Sequence, residues 1–275
     1  MIRLGVRSLG AVGAPEGFPG HGAWPKDSRI RSLIGGSEAV TGALHTHYAP
    51  LRLRRLDPYA GAALLAAKLA LEACPCLSRE PGLVVCTGRG PVPAINAFTD
   101  SYMDFGPEGA SPTAFSQTVH NVAASTISMF LTLEGPALTV SQPGLGVSSA
   151  LCTISAWLEQ GLVETVLFGA VDDCEAFSRV IEERPELPAT PHSPLAVFAV
   201  LSWADADEDL LDVEAIRFSA RQGGDVRQTR CPGPVEILSG LLSVLSAGGR
   251  EAILEEAYGG SLASLRVRIK AVGGL

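Results

Sequence analysis

The chain has 275 residues, 47% of them hydrophobic, with a formal net charge of −8 and a mean hydropathy of +0.25. The negative charge excludes a general nucleic-acid-binding role, and without an apolar run of about 18 residues no membrane span is expected. So apolar a chain with no span points instead to a buried subunit interface, and its length suits one large domain or two small ones.

In chain order, Met1–Gly13 lacks the long apolar core and cleavage site of a signal peptide, and the alternation of Ile2, Leu4 and Val6 predicts a strand over Arg3–Val6. Residues 11–50 are rich in Gly and Pro and are expected to wrap the core as irregular loops. Arg52, Arg54 and Arg55 form the one notable basic cluster, expected to pair with carboxylates such as Asp57 on a solvated face. Helices are predicted over Pro58–Cys74, Ala94–Tyr102, Val119–Thr132 and Leu145–Glu159. Strands are predicted over Gly82–Thr87, Ala137–Ser141, Thr165–Ala170 and Leu195–Trp203, an alternating α/β pattern. Gly88-Arg89-Gly90 follows a strand but fits neither glycine-rich phosphate-binding pattern, so no nucleotide is expected. Pro185–Pro194 reads as a loop with His192 on its surface. An acidic connector, Ala206–Asp212, then leads to a β-α-β segment: strand Val213–Ser219, helix Pro234–Ser246 and strand Ser264–Ala271. The division expected is 1–205 with a reduced 206–275 segment packed on the same core.

Cys74, Cys76, Cys86, Cys152, Cys174 and Cys231 are scattered without C-x-x-C spacing, as in reduced thiols of a cytosolic protein. Cys74-Pro75-Cys76 has no histidine or second pair nearby, so neither metal nor other cofactor is expected. Cys152 falls more than two turns along its helix and is expected in the core.

The most informative stretch is Glu134–Gly146, an apolar strand, a sharp Gly/Pro turn and a helix start. That is the arrangement of a nucleophile elbow, where free helix N–H groups and the helix dipole lower a thiol pKa and hold an oxyanion. On the helix that follows, Val147, Leu151, Ile154 and Leu158 make one buried face.

The stretch Gly135-Pro136-Ala137-Leu138-Thr139-Val140-Ser141-Gln142-Pro143-Gly144 resembles the G-P-x-x-x-V-D-T-A-C element of β-ketoacyl synthases, with Gly144 at the cysteine position. Arg54-Arg55-Leu56-Asp57 is similar to their R-R-M-D segment. Ser111–Ser116 with Val119–Ala124 resembles P-x-x-x-x-N-M-A-A-G, in wording closest to short ketosynthase N-terminal-like proteins of aryl-polyene and related systems. Tyr258-Gly259-Gly260-Ser261-Leu262-Ala263-Ser264 looks like a worn F-G-G-T-N-A loop. The two catalytic histidines of that family have no counterpart. This chain's five, His21, His45, His47, His120 and His192, lie in other settings.

The resemblance implies a thiolase-like, layered αβαβα fold with one nearly complete half and a truncated second half. It implies a chain without catalysis of its own, resembling a chain-length factor in type II polyketide or aryl-polyene synthesis. The partner implied is a full-length ketosynthase, in a heterodimer, with an acyl carrier protein docked mainly through the ketosynthase. Strand Ala137, Leu138, Thr139, Val140 and Ser141, with His120 and Asn121, would form the interface. Ala94, Ile95, Ala97 and Phe98 would gate the acyl tunnel. Gln142, the residue type that often replaces the cysteine in chain-length factors, falls two residues early. Two other readings stay open: an enzyme of altered acyl-transfer or decarboxylase chemistry using Ser141, Ser148 or Cys152, and a structural acyl-binding homodimer.

Overall fold

Several strands of this chain read as unbroken apolar runs because the sheet they build is covered on both faces. The computed structural model describes residues 3–13, 26–74, 80–142, 144–173, 194–204, 209–220, 251–258 and 261–269, with 234, 237–239 and 242 between them. Strands are β1 (Leu4–Gly13), β2 (Ile30–Ile34), β3 (Gly82–Thr87), β4 (Ala137–Ser141), β5 (Val166–Asp173), β6 (Pro194–Trp203), β7 (Leu211–Ala220), β8 (Glu251–Tyr258) and β9 (Ser261–Ile269). Helices are α1 (Ser37–His47), α2 (Pro50–Leu53), α3 (Pro58–Ala73), α4 (Val92–Gly109), α5 (Pro112–Gln117), α6 (Val122–Leu131) and α7 (Gly146–Glu159).

The sheet runs β4-β3-β5-β6-β1-β7-β9-β8, with β2 beside the far end of β1. β4, β3 and β5 are mutually parallel, and β6 runs antiparallel to both its neighbours. Only Leu4–Val6 of β1 pairs with β7, so a short seam joins the first five strands to the antiparallel β7-β9-β8 ribbon. Alternate residues serve two cores. Val84, Cys86, Phe168 and Val197 face α7 and the helical residues Ile237, Leu238 and Leu242. Leu83, Val85, Leu167 and Phe198 face α3 and α6.

Helix α3 starts where Asp57 accepts the Tyr59 amide at 2.8 Å, with Pro58 in the first turn. Its buried alanines let the sheet approach closely. A Cβ at Gly10 of β1 would collide with the backbone of Ala66 and Ala70, and Ser8 Oγ donates to the Ala70 carbonyl at 2.7 Å.

The structure corrects several expectations. The 11–50 region is not irregular throughout: β1 continues to Gly13, and β2, α1 and α2 follow. Only Val40 and Leu44 of α1 are buried, too few to make a helical period visible in sequence. The segment after β7 holds an additional strand, β8. Asp57 is a helix cap rather than an arginine partner. Arg52 lies over the rings of Phe130 and Tyr48, 4.7 and 5.8 Å from their centroids. Helix α4 extends well past Tyr102 and kinks at Gly106, whose φ is 72°. The expected loop at 185–193 with His192, together with His21, Cys76, Cys174, Cys231, residues 206–208 and Gly259-Gly260, lies outside the described residues. So does most of the expected helix 234–246. Among the described residues no helix is long and apolar enough to cross a membrane, and no group of His, Cys, Asp and Glu could hold a metal ion.

Candidate functional site

β4 ends at Ser141 and α7 begins at Gly146, so the strand-turn-helix elbow forms where the sequence places it. Leu145 caps the helix in the left-handed region (φ 61°, ψ 11°), a conformation that costs a non-glycine residue about 1–2 kcal/mol. The sharp, strained turn is therefore present. Gly144, Leu145 and Gly146 carry no nucleophilic atom, so a shift of register by one or two residues does not restore one.

Two amides in the first turn of α7, those of Val147 and Ser148, are not free. Glu256 of β8, fully buried, accepts the Val147 amide at 2.9 Å and the Ser148 amide at 2.7 Å. The Ser148 hydroxyl donates to the same carboxylate at 2.5 Å. A carboxylate at a helix N-terminus is favourably placed, and this one engages two amides of the first turn of α7. The expectation of free donors is thus corrected.

The alternative nucleophiles fare no better. Ser148 is fully buried, and the carboxylate beside it, that of Glu256, already accepts three hydrogen bonds, which makes it a poor base. Ser141 is exposed at the end of β4. Cys152 is half-buried rather than in the core, and burial pushes its thiol pKa up, away from the reactive thiolate. Cys86 lies at the elbow as well, donating to the Gly146 carbonyl at 3.5 Å. Complete burial, and then the charges of Glu256 and Asp172, raise its pKa well above the usual thiol value.

Asp172 organises the turn that leaves β3. Its carboxylate accepts from the Gly88 amide at 3.0 Å and the Arg89 amide at 2.9 Å, and the Gly90 amide donates to Thr87 Oγ1 at 2.8 Å. With these donors engaged, the glycine turn has no open phosphate cradle. Gly90 (φ 70°) is required there by His120, whose ring occupies the space a Cβ would take.

The expected gate residues do not share one environment. Ala94 is buried, Ile95 and Phe98 are half-buried, and Ala97 is exposed. Phe98 packs against Phe115 of α5, with ring centroids 5.3 Å apart. Ala94 is the only buried residue of α4, while Tyr102, Met103 and Phe105 are 47%, 74% and 72% exposed. His120 and Asn121 lie exposed in the turn before α6, which begins at Val122 rather than Val119.

β4 is an edge strand, bonded only to β3 among the described residues, with Ala137, Leu138 and Ser141 exposed and Thr139 and Val140 half-buried. Met129 of α6 and Phe115 and Val119 also stand exposed. Inside the chain, an apolar cavity bordered by Val147, Leu151, Phe168, Ile237 and Leu265 measures about 20 Å³. A pocket for a bound ligand is typically roughly 300 Å³ or more. An open groove of about 480 Å³ beside Gly135, Pro136 and Leu162 lies at the opposite end of β4 from the elbow.

Sequence reasoning missed Glu256 and Asp172. The signal for the first was legible: Ile253 and Glu255 point outward and Leu254 and Glu256 inward, so a charge sits on the buried side of a period-two pattern.

A family model for the β-ketoacyl synthase N-terminal domain matches residues 33–191, more than half of the chain. No curated protein matches. Among solved structures, the chain is similar to the ishigamide ketosynthase/chain length factor, with 14% identity, 98% of this chain and 99% of that chain covered, and a TM-score of 0.67. It is similar to the ketosynthase ApeO in complex with its chain length factor ApeC from Xenorhabdus doucetiae, with 14% identity, 98% and 100% coverage and a TM-score of 0.65. It is also similar to AntDE:AntF, a type II polyketide acyl-carrier protein in complex with its ketosynthase, with 12% identity, 98% and 100% coverage and a TM-score of 0.70. At such identities the likeness is one of fold, the layered thiolase-like α/β arrangement.

Proposed function

The chain belongs to the β-ketoacyl synthase family, and from that premise we propose that it is the non-catalytic, chain-length-factor-like partner of a full-length β-ketoacyl synthase. In this role it completes a heterodimer and shapes the acyl tunnel during synthesis of a polyketide, aryl-polyene or related fatty-acyl chain. The observation that carries the reading is the elbow: its fold is intact, its nucleophile is missing and its helix donors are committed to Glu256. A Claisen condensation needs a thiolate to hold the acyl chain, and the elbow has glycine at position 144, where the family has its cysteine.

Two further observations support a partner. An edge strand with exposed apolar side chains is an aggregation hazard unless covered, and α4 leaves three large apolar residues in water. The apolar cavity bordered by Val147, Leu151, Phe168, Ile237 and Leu265 is too small for an acyl chain, which supports a tunnel formed against a second subunit. The acyl carrier protein would dock mainly through the ketosynthase, because this chain is acidic like the carrier.

Co-expression with the ketosynthase, followed by size-exclusion chromatography, tests the proposal. A stable one-to-one complex is expected. A homodimer that ignores the ketosynthase would favour a structural acyl-binding role, and a well-behaved monomer would overturn the assembly altogether.

A further inference from the structure

We propose that β7, β9 and β8 form a unit that opens as one body from the first five strands of the sheet, and that a buried ion pair between Arg7 and Asp209 is its latch. The backbone connection between the two parts is short. Among the described residues β7 pairs with β1 only over Leu4, Gly5 and Val6, whereas β1 runs beside β6 from Leu4 to Val12. Just past that seam the register of β7 on β9 shifts between Val213 and Ala215. The two layers also leave a gap where they face each other. The apolar cavity of about 20 Å³ lies between them, with Val6, Leu9 and Val197 on one side and Val213, Leu254 and Leu265 on the other. Side chains that border a void lose dispersion partners, so this boundary holds less firmly than a filled core.

Charge crosses the boundary at the seam. The register of β1 on β6 shifts between Val6 and Ser8, so Arg7 is the extra residue of a β-bulge, a feature that re-aims a side chain. Its Nε donates to Ser202 Oγ at 2.7 Å and pairs with Asp209 Oδ1 at 3.1 Å. Asp209 stands two residues before β7 with its side chain wholly buried, and its carboxylate fills the space that a Cβ at Gly5 would take. Arg29 feels the same carboxylate electrostatically. The next residue, Leu210, donates its amide to the Val6 carbonyl at 2.7 Å, and at the other end of the seam Arg3 pairs with Asp212 at 3.3 Å. A buried ion pair adds little net stability when intact, yet removing one partner is costly, because the other charge then stays in a dry interior. Such a pair fixes where the ribbon docks rather than how firmly the five-strand body folds. The ribbon carries Glu256 to the start of α7, so release of the latch also frees the amides of Val147 and Ser148. This inference does not depend on the proposed ketosynthase partner.

Hydrogen exchange of the full-length chain, read by mass spectrometry, tests the latch. In the wild type, peptides from β7, β8 and β9 should lose protection together and ahead of those from β3, β5 and β6, and the peptide spanning Val147–Ser148 should follow the ribbon. Arg7→Met removes one charge of the pair and should accelerate exchange in the ribbon group roughly 100-fold, with β3 and β5 at their wild-type rates. Arg7→Met combined with Asp209→Asn removes both charges and should restore most of the protection. Should Arg7→Met not fold, Ser202→Ala supplies a milder lesion: it deletes one hydrogen bond of Arg7 and should accelerate the ribbon group about fivefold. Uniform exchange across all strands of the wild type, single variants that accelerate β3, β5 and the ribbon alike, or a double variant no better protected than Arg7→Met would each overturn the proposal.

Discussion

Asp172, near the end of β5, accepts a 2.8 Å hydrogen bond from the hydroxyl of Thr87, the last residue of the neighbouring parallel strand β3. The same carboxylate takes the Gly88 and Arg89 amides, so it dictates the turn from which the chain enters α4. A contact between two strand ends thereby positions the helix that carries the expected tunnel residues.

That contact should be sensitive to pH. Burial raises the pKa of Asp172 to about 6, against the opposing effect of its hydrogen bonds. Because the folded-state value lies above the unfolded one, the group's contribution is full below about pH 4 and is lost as pH rises through about 6. Asp172→Asn, a neutral isostere, should remove this dependence. Urea unfolding from pH 4 to 7 should show wild type losing up to about 3 kcal/mol relative to the variant. A constant difference across that range would contradict the expected titration.

Assembly should depend on the edge strand. Leu138→Glu places a charge at the centre of β4 and should weaken the heterodimer about 30-fold or more, corresponding to roughly 2 kcal/mol. Leu51→Glu, at a residue 80% exposed on α2, serves as the control and should leave affinity unchanged. Isothermal titration of the two variants against the ketosynthase separates them, and equal behaviour of both would remove β4 from the interface.

Chemically, the isolated chain should take no acyl group from a thioester. Intact-mass spectrometry after incubation with acyl carrier thioesters should show the unmodified mass, and Gly144→Cys should remain inactive in condensation. The expectation rests on the sequence, which has glycine at position 144 and no histidine in the settings of the family's catalytic pair. A stoichiometric adduct that disappears in Cys152→Ala would locate chemistry where none is expected.

Tunnel gating should divide along the exposure of the candidates. Ala97 is exposed, so Ala97→Phe should alter the stability of the chain by no more than about 0.5 kcal/mol. If it lines the tunnel in the complex, products should shorten. Ala94→Phe, at a buried site, should cost about 1–3 kcal/mol and reduce complex yield without changing product length. Product mass profiles read beside yield distinguish the two, and unchanged length in both Ala97→Phe and a Phe98 variant would withdraw gating from this segment.

Much of the fold was legible locally. β3 and β4 have the bounds that apolar content and flanking turns predict, and α7 buries Val147, Leu151, Ile154 and Leu158 as its period requires. Between Ile30 and Leu53 the same rules failed, because β2 and α2 bury no residue and α1 buries only Val40 and Leu44, so no period rises above the surrounding glycines and prolines.

The sequence by itself determined that a strand, a sharp turn and a helix start follow one another here and that glycine stands at position 144, since both depend on residue identity over a short stretch. Only the tertiary structure decided that β4 lies at an edge, that Asp172 holds the turn after β3, and that Glu256 occupies the elbow. Asp172 meets Thr87 across 85 positions of chain, and Glu256 meets Ser148 across 108. No local periodicity encodes such pairings, because strand order and register, rather than neighbouring residues, bring a buried carboxylate to the donors that stabilise it.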